Sequence, residues 1–191
     1  MEWRIPILLL ALAGMLLVVE WRGVRTTLTL SFRGDLHREA AFLAQYGQSV
    51  CTPIAAWLVA IAKGSWTPLL TVMVPVIVVS IVCLVLKRST GRIRPGRERA
   101  GRFTGFGWRR DSKRESFPSS HSACAFALSV ALSYHWPEAA VVWWLLAGTV
   151  GLLRYLMEAH FPSDVLAGYA VGYVVGWLAL EGTLRLLAGM M

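Results

Sequence analysis

Between Thr67 and Leu86 the chain carries no charged side chain and reads as an almost unbroken run of Val, Ile and Leu. About 20 such residues are what an α-helix needs to cross the ~30 Å hydrocarbon layer of a bilayer. A backbone in lipid must also satisfy its own hydrogen bonds, which leaves the helix as the fold for runs of this kind. Five further apolar segments accompany it: Ile5–Trp21, Ser49–Ala62, Ser119–Trp136, Glu138–Met157 and Pro162–Leu180. The second of these is short and contains Pro53. No small-residue cleavage site follows Ile5–Trp21, so an uncleaved span is expected there rather than a signal peptide. Hydrophobic residues make up 56% of the 191 and charged residues 16%, against roughly half and a quarter in soluble domains. The expectation is an all-α integral membrane bundle of six transmembrane helices, forming a single domain over residues 1–191.

The connections carry further information. Within the polar stretch Arg22–Gln48, Leu36, Ala40 and Leu43 fall at helical spacing. This predicts a short helix lying in the membrane interface. Lys63–Gly64–Ser65 and Pro137 mark turns. In the last segment Gly168, Gly172 and Gly176 recur every four residues, a spacing that lets helices approach closely in lipid. Cys51, Cys83 and Cys124 lie in apolar blocks without metal-type spacing and read as small core residues.

The formal net charge of +8 is concentrated in one place. Between Lys87 and Phe117 stand eleven Lys and Arg against three acidic residues, so this loop carries the whole imbalance. It faces an anionic partner. A lipid-surface patch and a phosphate site both fit; nucleic acid fits poorly, because no nucleic-acid motif accompanies the arginines.

The loop joins the third and fourth segments, and a short turn around Glu158–Phe161 joins the fifth and sixth. Consecutive spans alternate direction, so both connections lie on one face of the membrane. Three polar blocks therefore share that face. Lys87 and Arg94 supply cations, the latter with a planar fork suited to phosphate oxygens. Ser119 is placed as the N-cap of a helix whose first N–H groups form an anion site, and His121 stands at the same mouth as a candidate proton donor. Arg154 ends the fifth segment, His160 lies in the turn and Asp164 in the first turn beyond Pro162. There Asp164 is positioned to accept a hydrogen bond from one imidazole nitrogen and leave the other free to attack. Taken singly, each block has a plain reading: a snorkelling cation, a Ser-capped helix, a surface histidine. Together they form the inventory that phosphoryl transfer needs, namely a nucleophile, an acid and charge neutralisation of phosphate oxygens. No metal-ligand cluster is evident, and no metal or cofactor is expected.

This ordered pattern resembles the type 2 phosphatidic acid phosphatase (PAP2) superfamily, whose mark is Lys-x6-Arg-Pro, then Pro-Ser-Gly-His, then Ser-Arg-x5-His-x3-Asp. Lys87 to Arg94–Pro95 matches in full; Pro118, Ser119 and His121 match, with Ser120 in place of Gly; Arg154, His160 and Asp164 match, with Leu153 in place of Ser. The motifs cover 87–164. The resemblance implies that His160 attacks phosphorus, oriented by Asp164, that His121 protonates the leaving group, and that Lys87, Arg94, Ser119, the Ser120 backbone and Arg154 hold the phosphate. Serine at 120 still offers its backbone N–H. His37 and His135 receive no role, and Glu158 is a surface carboxylate beside the nucleophile.

The implied activity is hydrolysis of a lipid phosphate or prenyl diphosphate, with Phe103, Phe106 and Trp108 of the basic loop covering the headgroup. An acceptor alcohol in place of water would make the same chemistry a lipid-to-lipid phosphotransfer. A lipid-binding protein would need the cations but not a nucleophile with its orienting acid. Haloperoxidase activity, found in soluble members, does not suit this chain. Membrane lipids are the other expected partners; nucleic acid and an obligate protein partner are not expected. The implied location is the bacterial cytoplasmic (inner) membrane. A positive-inside reading puts the basic loop in the cytoplasm, whereas the resemblance puts the site on the extracytoplasmic face, and the expectation follows the resemblance.

Overall fold

The computed structural model describes residues 2–28, 34–48, 50–107 and 111–190. These residues form seven α-helices in order: α1 Arg4–Trp21, α2 Asp35–Leu43, α3 Cys51–Lys63, α4 Thr67–Thr90, α5 Ser120–His135, α6 Ala140–Leu156 and α7 Pro162–Ala188. Two 3₁₀ turns, Ser112–Arg114 and Pro137–Ala139, punctuate the connections. Among the described residues the only β pairing is an isolated bridge between Arg92 and Phe103.

Among the described residues four helical stretches are long and apolar enough to cross a membrane: Arg4–Trp21, Thr67–Thr90, Pro137–Leu156 and Pro162–Ala188. The other two expected spans are shorter. α3 has 13 residues, which at ~1.5 Å per residue reaches about 20 Å; Ser49, where this segment was expected to begin, lies outside the described residues. The connector before α3 packs into the bundle against α5. Gly47, at φ 82°, enters the bundle so closely that a Cβ there would lie 2.5 Å from the Ala125 nitrogen, and Tyr46 hydrogen-bonds Ser129 of α5 at 2.9 Å.

α5 spans 16 residues and ten of them are buried. It packs against α4, α6 and α7, so it meets protein rather than lipid and tolerates Ser and Ala where a lipid-facing helix needs Leu and Val. The glycines of α7 permit this. A Cβ on Gly168 would lie 2.6 Å from the Ser119 carbonyl oxygen and one on Gly176 2.9 Å from the Ala127 Cα, while one on Gly172 would collide with the Ala123 carbonyl. Both helices present small residues every four positions, and this fixes the register of α5 on α7.

The helix at Asp35–Leu43 forms, and of the expected stripe the Leu36 side chain lies outside the described residues. Ala40 is buried, as is Ala44 just beyond the helix, while Leu43 is 53% and Phe42 74% exposed. The chain turns inward just after the helix, at Tyr46–Gly47, which carries Ala44 into the bundle.

Candidate active site

Helix ends bring the polar blocks together. α4 runs four residues beyond the expected Leu86 and stops at Gly91, whose φ of 58° suits a left-handed C-cap. This places Lys87 in the last turns, buried, with its Nζ donating to the Glu115 carbonyl at 2.6 Å. The basic loop then folds on itself: Ile93 and Gly101–Arg102 exchange backbone hydrogen bonds at 2.9 and 3.0 Å. Arg94 donates to three carbonyls, those of Ser112 at 2.8 Å, Ala159 at 3.0 Å and Glu115 at 3.3 Å. The Ala159 contact ties the loop to the residue before His160.

α5 begins at Ser120. Ser119 caps it, its hydroxyl accepting from the Ser122 N–H at 3.5 Å and the Ser122 hydroxyl at 2.9 Å. Its own N–H donates to the Asp164 carbonyl at 2.9 Å. Ser119 is fully buried, so its hydroxyl serves the helix start, while the N–H groups of Ser120 and His121 fall at positions with no intrahelical acceptor. α7 begins at Pro162, where a missing N–H costs nothing, and the Asp164 side chain accepts from the Phe161 N–H at 3.0 Å.

A cavity of about 370 Å³ unites these ends; His160, His121, Lys87, Arg94 and Ser120 all line it. Arg154 stands outside this lining, but its charge acts on His121 and Arg94. Glu158 also stays outside, half-buried in the left-handed region at φ 52°. His135 sits at the far end of α5, hydrogen-bonded to Thr71 at 2.8 Å. His37 is exposed on α2. Phe103 and Phe106 are 48% and 60% exposed on the loop, and Trp108 falls outside the described residues.

The His160–Asp164 pair departs from the simple expectation. The nearer ring nitrogen, Nδ1, is 3.7 Å from the Asp164 carboxylate, beyond a hydrogen bond, and has no other partner. Asp164 directs its oxygens elsewhere: one receives Arg92 at 2.5 Å, the other the Ser116 hydroxyl at 2.6 Å and the Phe161 N–H. The carboxylate therefore acts on His160 as a nearby fixed charge. Burial pushes the His160 pKa down to about 3; Asp164 opposes the shift, and Lys87 and Arg94 add to it. The ring is neutral at physiological pH, with Nε2 left as the nitrogen away from the carboxylate.

Sequence reasoning passed over several residues. Gln48, Ser80, Leu84, Arg88 and Glu115 also line the cavity. Arg92 pairs with Asp164 and with Glu20 of α1. A signal for Glu20 existed: an acid in the last turn of an apolar segment is expensive unless paired. Arg92 had none, being one arginine among many in the same loop.

Comparison with known proteins places this geometry. The family model described as the PAP2 superfamily matches residues 66–186. The chain belongs to the PAP2 superfamily. Among curated proteins it is similar to the lipid A 1-phosphatase of Rhizobium etli, 37% identical over 97 residues, covering 50% of this chain and 40% of that protein. It is also similar to the lipid A 1-phosphatase of Porphyromonas gingivalis, 33% identical over 96 residues, covering 48% of this chain and 18% of that protein. The chain thus matches at most 40% of the length of these curated relatives. Its fold is that of solved PAP2 structures. The PAP2 type phosphatidylglycerolphosphate phosphatase from Bacillus subtilis superposes with a TM-score of 0.63 at 20% identity, over 95% of this chain and 96% of that one. LpxE of Aquifex aeolicus gives 0.60 at 23% identity, over 79% and 88%. With its apolar helices, this PAP2 member is an integral membrane protein.

Proposed function

We propose that this PAP2 protein removes phosphate from a lipid headgroup through a covalent phosphohistidine. The observation that carries the proposal is the single cavity in which His160, His121, Lys87, Arg94 and the start of α5 meet. The His160 Nε2 lone pair attacks phosphorus as the bond to the leaving oxygen breaks. His121 gives that oxygen its proton. Water then attacks phosphorus, His121 takes the proton from the water, and the P–N bond breaks to release inorganic phosphate and restore His160. Lys87, Arg94, Arg154 and the Ser120 and His121 N–H groups neutralise the phosphate oxygens, with Ser119 holding the helix start in place. Asp164 stabilises the positive charge that His160 acquires.

In this reading α1, α3, α4, α5, α6 and α7 cross the bacterial inner membrane, and the cavity lies at the extracytoplasmic lipid–water boundary. Lipid A bearing a 1-phosphate leads the substrate panel, because the similar curated proteins are lipid A 1-phosphatases. Phosphatidic acid, phosphatidylglycerophosphate and prenyl diphosphates complete it. Purified protein in detergent is expected to release inorganic phosphate from at least one panel member, in the presence of chelator and with inhibition by vanadate. A phosphoenzyme from radiolabelled substrate should be stable to base and labile to acid. Absence of phosphate release from every member overturns the reading. Cysteine labelling at Ser112, in a cysteine-free background in intact cells, tests the orientation; protection from an impermeant reagent would reverse it.

A further inference from the structure

Arg92 is 1% exposed, as isolated from solvent as any cation among the described residues. Its Nη1 donates to Asp164 at 2.5 Å and to the Ser163 hydroxyl at 2.8 Å; its Nη2 donates to Glu20 at 2.7 Å; its Nε reaches the Gly101 carbonyl at 3.3 Å. The Phe161 ring lies 4.4 Å from the guanidinium carbon and the Phe103 ring 5.2 Å, closing the remaining faces. Glu20 is held in turn by the hydroxyl and N–H of Ser163 and by Thr26. The Arg92 carbonyl also accepts from the N–H of Ser116, the residue whose hydroxyl binds Asp164. Arg92 therefore shapes the Asp164 environment through both side chain and backbone, without lining the cavity.

Charge explains why a third group is present. A lone Arg92 beside Asp164 would form a neutral pair and cancel the field that the carboxylate exerts 3.7 Å away on His160. Attack on phosphorus puts a positive charge on that imidazole, so a cancelled Asp164 would be of little use. Glu20 returns the buried cluster to one net negative charge. The other ionisable groups around His160 are the cations Lys87 and Arg94 and the Glu115 carboxylate on the cavity wall, with His121 and Arg154 beyond. Asp164, 3.7 Å away, is then the carboxylate nearest the nucleophile. Glu20 belongs to α1, outside residues 66–186 that the family model matches, so a helix remote in sequence is wired into the reaction centre.

We propose that Glu20 and Arg92 are positioning residues for the reaction: Arg92 fixes the Asp164 carboxylate beside His160, and Glu20 balances Arg92 so that Asp164 still acts there as an anion. The inference rests on the phosphatase reading. Steady-state hydrolysis by wild type, E20Q, E20D and the E20Q/R92M double variant tests it, with kcat expressed per folded molecule from size exclusion and thermal unfolding. E20Q is expected to lower kcat about 10- to 100-fold, the cost of a misplaced or mis-charged catalytic group, with KM within about twofold because Glu20 touches no phosphate. The double variant restores the cluster's single negative charge and should recover part of the kcat lost in E20Q. A wild-type kcat in folded E20Q, whatever its melting temperature, makes the triad a structural tie and overturns the proposal. Should E20Q not fold, E20D decides: a reduced kcat at unchanged KM supports it, and a wild-type kcat overturns it. Wild-type protein without activity on any phosphoester defeats the phosphatase reading instead.

Discussion

The two ends of the helical bundle are built from the same helices and behave as opposites. At one end the connections are tight: Gly64 closes α3 in a left-handed cap and a 3₁₀ turn joins α5 to α6. The polar groups there pair locally, as His135 does with Thr71. At the other end the α4–α5 loop is long, the chain before α3 plunges inward and a short turn joins α6 to α7, and Lys87, Arg94, His121 and His160 converge on one cavity. α5 carries a histidine near each end, His121 and His135. Helix length answers to the bilayer at both ends, and chemistry develops where the connecting chain is spent.

Substitutions can break this contrast. His160→Ala should produce the largest loss, about 10⁴-fold or more in kcat, as removal of a nucleophile does, in protein that still elutes as a folded species. Near wild-type turnover in that variant would remove the phosphohistidine from the mechanism. His121→Ala should cost about 10²–10⁴-fold on lipid substrates and much less on a nitrophenyl phosphate, whose leaving group needs no proton. An equal loss on both would take the general-acid role from His121.

The glycine register sharpens the comparison by connecting packing to site. Gly168→Ala drives a methyl towards the Ser119 carbonyl at the start of α5 and should cost about 1–3 kcal/mol of stability together with activity. Gly182→Ala, with open space around its Cβ position, should change neither; equal melting temperatures for both variants would refute the register. At the quiet end, His135→Ala should lose no more than about 1 kcal/mol, one hydrogen bond's worth, and leave kcat unchanged.

Acidity offers the finest probe. The folded His160 value of about 3 lies below the ordinary 6.5, so the unfolded chain takes up the extra proton. The stability that the neutral ring contributes is complete above pH ~6.5 and is lost progressively as pH falls towards 3. Imidazole nitrogen shifts for His160 should therefore read as neutral at pH 5. A titration midpoint between 6 and 7 would show that the ring is not buried.

Much of this was legible in the sequence. Unbroken apolar runs such as Thr67–Leu86 announce helices, and alternation of direction alone brings 87–121 and 154–164 to one face. The Gly168, Gly172 and Gly176 spacing foretold a close contact, although the choice of α5 as partner needed coordinates. One feature stayed hidden for a physical reason. The hydrogen-bond partners of Asp164 come from Arg92, Ser116 and the Phe161 backbone, a convergence of loop and helix end that no local spacing reports.

The buried triad also bears on how the chain is assembled. Glu20 is delivered with the first helix, Arg92 with the loop after the fourth, and Asp164 with the seventh. Until α7 is inserted, Arg92 lacks one of its two carboxylates, Ser163 is absent and the environment around the guanidinium stays open. α7 thus supplies the group that closes a charge-balanced core begun by α1. Insertion of α7 and the closing of this buried charge cluster become the same event.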